Sequence, residues 1–170
     1  MKYKVFVTRQ IPDDGINILK KYIDQHSDAD FIFGSIRKDN KVYVGFRPKD
    51  ITLSFNIYPS CVVSFFIKIS SLKRLGLYNT KYKISSDYDL IYRMIVKHKM
   101  KGVSTSGKEI FGTFEESGVS KTYSFFERLF AEVRIRYDNG QNIIIILIIF
   151  FGRCYKQIFN SFRKINFIDN

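Results

Sequence analysis

The residues of this chain whose types and spacing could do chemistry fall between Cys61 and Ser120. At their centre is a carboxylate pair, Asp87 and Asp89, in Ser85-Ser86-Asp87-Tyr88-Asp89-Leu90. A carboxylate behind two small side chains can approach a substrate hydroxyl and take its proton, the work of a general base. The same two acids also suit the first turn of a helix, where the dipole attracts negative charge, so helix capping is the structural alternative for both. Asp89 is spaced to pair with Arg93 at i, i+4. His26 and His98 lie among charged residues at expected helix ends, and neither Cys61 nor Cys154 has a histidine nearby in sequence. The phosphate-binding glycine loops, the paired-histidine zinc signature and the serine nucleophile elbow are all missing from the sequence.

The elements that must position these residues alternate between α and β. Met1–Thr8 alternates apolar and polar residues and reads as a strand. Pro12-Asp13-Asp14 opens a helix to about Gln25, with Ile16, Leu19 and Ile23 on one face and acids at its positive end. Ala29–Ile36 reads as a short apolar strand broken by Gly34, and Lys38-Asp39-Asn40 turns it into Lys41–Phe46 as a hairpin. Phe46–Ser60 is expected to be mostly loop, and Cys61–Ile69 is either strand or buried helix. Asp87–Lys99 carries Tyr88, Ile91, Tyr92 and Ile95 at helical spacing; Ser85 or Ser86 is its expected cap and Gly102 its stop. Val103–Phe114 is expected to be extended. Lys121–Tyr137 reads as a helix with Tyr123, Phe126, Phe130 and Val133 as its apolar stripe, ended by Asp138-Asn139-Gly140.

Taken in order, the motifs resemble the acceptor half of family 2 glycosyltransferases, inverting enzymes of GT-A fold. They are Phe65-Phe66-Ile67-Lys68, then Gly76, Tyr78, Tyr82 and Ile84, then Asp87-Tyr88-Asp89-Leu90 with Arg93, and last Phe111-Gly112-Thr113-Phe114 before Ser117-Gly118-Val119-Ser120. Pro12–Gly34 also resembles the helix and strand that follow the family's metal-binding aspartates. The likeness covers about residues 11–137. It implies an α/β fold, a partial GT-A-like mixed sheet with flanking helices. It implies transfer of a sugar from a nucleotide-sugar donor to a glycan or lipid-linked acceptor hydroxyl with inversion, with Asp87 as the general base. A divalent metal, Mg²⁺ or Mn²⁺, is expected for the family, but its ligands are not identifiable here. Val7-Thr8-Arg9-Gln10 stands where the acidic pair should, and Asp13 and Asp14 come later, at a helix start. Ser35 replaces an acid found in many relatives, and Ser117-Gly118 replaces Gly-Gly. The nucleotide-binding half would precede Pro12, so residues 1–140 are expected to be a truncated glycosyltransferase-like domain. The alternatives are a degenerate, non-catalytic relative and a basic membrane- or nucleic-acid-binding protein. Met1–Leu19 is also similar to the opening of D-2-hydroxyacid dehydrogenases, but no dinucleotide fingerprint follows it.

Composition sets the remaining bounds. The chain has 170 residues, 45% of them hydrophobic, which excludes intrinsic disorder. Two cysteines exclude a disulfide framework and fit a reducing, cytoplasmic setting. With 28 basic and 16 acidic residues the net charge is +12. Such a balance suits an anionic partner. The basic residues are evenly spread, however, and no specific nucleic-acid partner is expected. The tail, residues 141–170, opens with the apolar run Ile143–Phe151. That run is too short for a membrane span of about 20 residues, so it is expected to be a core element or an interfacial segment. Arg153, Lys156, Arg163 and Lys164 follow it, which would suit peripheral attachment to a membrane surface through residues 143–167.

Overall fold

The computed structural model describes residues 13–38, 41–44, 64–113 and 122–166. The expected strand at Met1–Thr8, the loop at residues 46–60 and the Ser117-Gly118 motif lie outside them. The protein is mixed α/β, and the described residues form two small mixed sheets and five α-helices. It divides into two compact units that interleave in sequence. The first comprises Met1–Pro48, Tyr58–Gly76 and Met100–Glu116; the second comprises Lys49–Ile57, Leu77–Lys99 and Ser117–Asn170.

The first unit holds helix α1 (Asp13–Gln25), strands β1 (Phe31–Phe33), β2 (Ser35–Lys38), β3 (Lys41–Tyr43) and β4 (Phe65–Ile67), and helix α2 (Ile69–Leu75). Strands β5 (Gly102–Ser104) and β6 (Ile110–Thr113) complete it. One sheet has the order β4-β1-β5 and the other β3-β2-β6; each has one antiparallel and one parallel pair. The expected hairpin is present, with Ile36 opposite Tyr43. Cys61–Ile69 resolves, over its described part, into β4 followed by the start of α2.

Gly34 is where the chain passes from one sheet to the other. The backbone groups freed there find partners: Gly34 N–H donates to the Ser64 carbonyl, Ser64 Oγ to the Gly34 carbonyl at 2.7 Å, and Ser35 N–H to Thr105 Oγ1 at 2.8 Å. Buried backbone groups left unpaired would be costly. Ser35 and Thr105 are therefore buried as structural residues. Leu19, Ile32 and Phe111 form a core under α1, with Ile18, Tyr22, Ile23, Phe66 and Val103 packed against it. Gly102 is not the expected helix stop. It opens β5, where an added Cβ would sit 2.0 Å from the Phe31 ring. The helix before it ends at His98 and Lys99, the latter at φ 47°.

The second unit holds α3 (Ser86–Tyr92), which widens into a π-helical turn at Arg93–Lys97, then α4 (Phe125–Asp138) and α5 (Ile143–Asn166). Ser124 caps α4 in a reciprocal box with Glu127. The expected stripe on α4 is displaced. Phe126 and Phe130 are more than half exposed, and Leu129, Glu132, Ile135 and Arg136 are buried instead. The apolar run Ile143–Phe151 is only the first part of its element. It continues as a 24-residue helix, about 36 Å at 1.5 Å per residue. Its segment Ile143–Asn160 has a mean hydropathy of 1.6 and is only 11% buried, so by length and composition it could cross a membrane.

Candidate functional site

Asp87 stands in the first turn of α3, and the second unit fixes that turn from several sides. Ser85 is the N-cap residue, as expected, but it stands at φ 63° and ψ 31° and its side chain makes no capping bond. A left-handed serine is an uncommon conformation that persists only where its surroundings enforce it. The loop that precedes it is tied down at two places. At its start, Arg93 Nη2 donates to the Leu77 carbonyl at 2.9 Å. Further along, Lys81 Nζ and the Tyr82 hydroxyl both donate to Asp138 Oδ2, at 2.7 and 2.8 Å. Burial and the neighbouring Asp138 carboxylate push the Tyr82 phenol up to about 12, so it remains a donor at physiological pH.

The two carboxylates at the centre have different surroundings. Asp89 is 1% exposed; its Oδ2 accepts from Arg93 Nε at 2.8 Å and its Oδ1 from Asn139 Nδ2 at 3.0 Å. The i, i+4 pair expected from spacing is therefore present, with Asp89 buried and Arg93 partly so. Asp87 is partly buried, and among the described residues its carboxylate accepts one hydrogen bond, from Tyr88 N–H to Oδ1 at 2.8 Å. Tyr78 lies within electrostatic reach: burial first, and the Asp87 charge second, raise its phenol above the ordinary value. The Tyr78 residue is itself 48% exposed. The arrangement thus offers one carboxylate tied into the structure and one with an oxygen to spare.

Sequence reasoning missed Arg136. It is buried at 1% exposure, yet its Nε donates to the Tyr88 hydroxyl at 2.6 Å and its Nη1 to Gln141 Oε1 at 2.7 Å. Its guanidinium lies 5.6 and 5.3 Å from the ring centres of Tyr88 and Tyr92. A buried cation held by hydrogen bonds and aromatic faces fixes α3 against α4. The only available signal was its place in the last turn of a helix, which reads as ordinary dipole compensation.

The other candidates are dispersed. Asp13 and Asp14 are exposed in the first turn of α1. His26 stacks on Tyr22 with ring centres 5.9 Å apart, and His98 is exposed at the end of the π-helical turn. Cys154 is a free, partly buried thiol, and Cys61 lies outside the described residues. Among the described residues no three His, Cys, Asp or Glu side chains are grouped to hold a metal ion, so these residues do not fit the divalent ion implied by the resemblance. No protein-family model, curated protein or solved structure matches the chain.

Proposed function

We propose that the chain is a family 2-like glycosyltransferase with a GT-A-like fold, in which Asp87 is the general base. The observation that carries this reading is the difference between the two carboxylates. The ordered motifs resemble those of sugar transferases; at their centre Asp89 is engaged by Arg93 and Asn139, while Asp87 has an oxygen available. In the proposed reaction Asp87 Oδ2 accepts the proton of an acceptor hydroxyl as that oxygen attacks the anomeric carbon of a nucleotide-sugar. The bond to the nucleoside diphosphate breaks and the configuration inverts. A base must come within about 2.6–3.2 Å of the proton's oxygen to do this. Arg93, Asn139 and Tyr82 hold the turn in place and touch no reacting atom. Since the described residues do not fit the expected metal, no step is assigned to one.

The test is nucleoside diphosphate release from UDP-, GDP- and dTDP-sugars in the presence of glycan and lipid-linked acceptors, compared between the protein and Asp87→Asn. Loss of a general base typically lowers the rate by about 10²–10⁴-fold. A similar loss, with an unchanged melting temperature, is expected here. Release that persists at full rate in Asp87→Asn would remove the mechanistic basis of the proposal.

A further inference from the structure

We infer that α5 is a docking surface for an anionic lipid bilayer, lying in the plane of the interface. The inference is independent of the sugar-transfer reading. It starts from the two sides of one helix. On one side α5 packs along α4: Ile146 and Ile149 are 1% and 4% exposed, Phe150 meets the Phe130 ring at 5.9 Å, and Arg153 pairs with Glu132. On the other side Ile144, Leu147, Ile148, Phe151, Tyr155 and Phe159 are between 45% and 70% exposed. At 3.6 residues per turn these six fall within an arc of roughly 120°, and no charged residue shares it. Soluble proteins rarely leave so continuous an apolar face uncovered, and such a face marks a protein or membrane contact.

Charge chooses between occupants. The segment Ile143–Asn166 contains four basic residues, Arg153, Lys156, Arg163 and Lys164, and no acid. Lys156 is exposed outside the apolar arc, as a cation beside an interface should be. A second copy of this chain would bring two such cationic helices, each on a chain of net charge +12, into contact. Like charges brought together oppose that association, whereas an anionic leaflet attracts each Lys or Arg near its surface. Packing decides the orientation. A helix crossing the bilayer would have to leave α4, breaking the Arg153–Glu132 pair and taking Arg153 and Lys156 into hydrocarbon, where charges are expensive. A helix lying flat keeps every contact with α4 and buries only the face already exposed.

The experiment is co-sedimentation of the whole chain with large vesicles, either pure phosphatidylcholine or phosphatidylcholine with about a third phosphatidylglycerol. The chain should bind the anionic vesicles at least about tenfold more tightly than the neutral ones and be released by salt, since cationic helices use both apolar burial and charge. The double variant I144D/I148D, altered on solvent-exposed positions, should lose binding with an unchanged melting temperature. K156E should weaken binding to anionic vesicles alone. Equal binding by I144D/I148D, or no preference for anionic lipid, would overturn the inference. So would a dimer in solution that I144D/I148D dissociates, because the face would then belong to a second copy. Resistance of bound protein to alkaline carbonate extraction would overturn the interfacial orientation in favour of a span.

Discussion

Changing Asp89 to Asn takes the charge away from a carboxylate that Arg93 and Asn139 share, and leaves one amide oxygen where two carboxylate oxygens accepted from these two donors. Hydrogen bonds to charged groups contribute about 1.5–3 kcal/mol, so Asp89→Asn should lower unfolding stability by about that amount in denaturant titrations. Asp87→Asn should change it by no more than about 0.5 kcal/mol, as partly exposed positions away from buried networks usually do. Equal losses in the two variants would mean that Asp87 is structural as well. At this scale the Asp89–Arg93 pair was legible because four residues place two side chains on one helix face. Arg136 was not legible. Its acceptance into the interior depends on Tyr88, 48 residues away in the chain, and no local pattern records such a partner.

Elements were legible where their own residues decide them. The periodicity of α1, the pairing of the β2–β3 hairpin and the Asp138-Asn139-Gly140 stop of α4 follow from local features, and all three are present, although the alternation in Lys41–Tyr43 is not matched by burial, since all three of its residues are exposed. Facing was less legible. On α4 the most hydrophobic stripe is exposed at Phe126 and Phe130, while the neighbouring stripe is buried because Arg153 and Tyr88 supply partners for Glu132 and Arg136. The length of α5 was hidden because its polar residues interrupt the apolar run in sequence but fall outside the exposed apolar arc in space. In the first unit a single acid joins elements. Glu109, on the turn before β6, accepts from Lys21 and Tyr22 of α1 and from Ser106, and these bonds, Lys21's first, hold it down at about 2. A lowered folded-state value means the link contributes fully above the ordinary value of 4.5 and disappears as pH falls towards 2. The difference in melting temperature between the protein and Glu109→Gln should therefore be largest near neutrality and close as pH falls through that window. A difference that stays constant from pH 7 to the acid limit would mean that the Glu109 charge does not secure α1.

For the whole molecule, the net charge of +12 acts in two opposite directions when salt is added. Within the folded chain, unbalanced positive charges repel over long distances. Raising sodium chloride from about 10 mM to about 100 mM shortens the screening length from about 30 Å to about 10 Å, which removes much of that repulsion. The same salt weakens exposed ion pairs such as Lys21–Glu109, Arg74–Asp30 and Lys81–Asp138. Those pairs are in contact at 2.7 Å, well inside either screening length, and each contributes at most about 1 kcal/mol. Relief of repulsion should therefore dominate, and the melting temperature should rise by several degrees across this range. Attraction of α5 to an anionic vesicle depends on the unscreened part of the same charge, so vesicle binding should fall as the melting temperature rises. Calorimetry and sedimentation over one salt series would measure both. A melting temperature that falls with salt would mean that contact pairs outweigh the surplus charge. Vesicle binding that is indifferent to salt would mean that the apolar face of α5 acts without its cations.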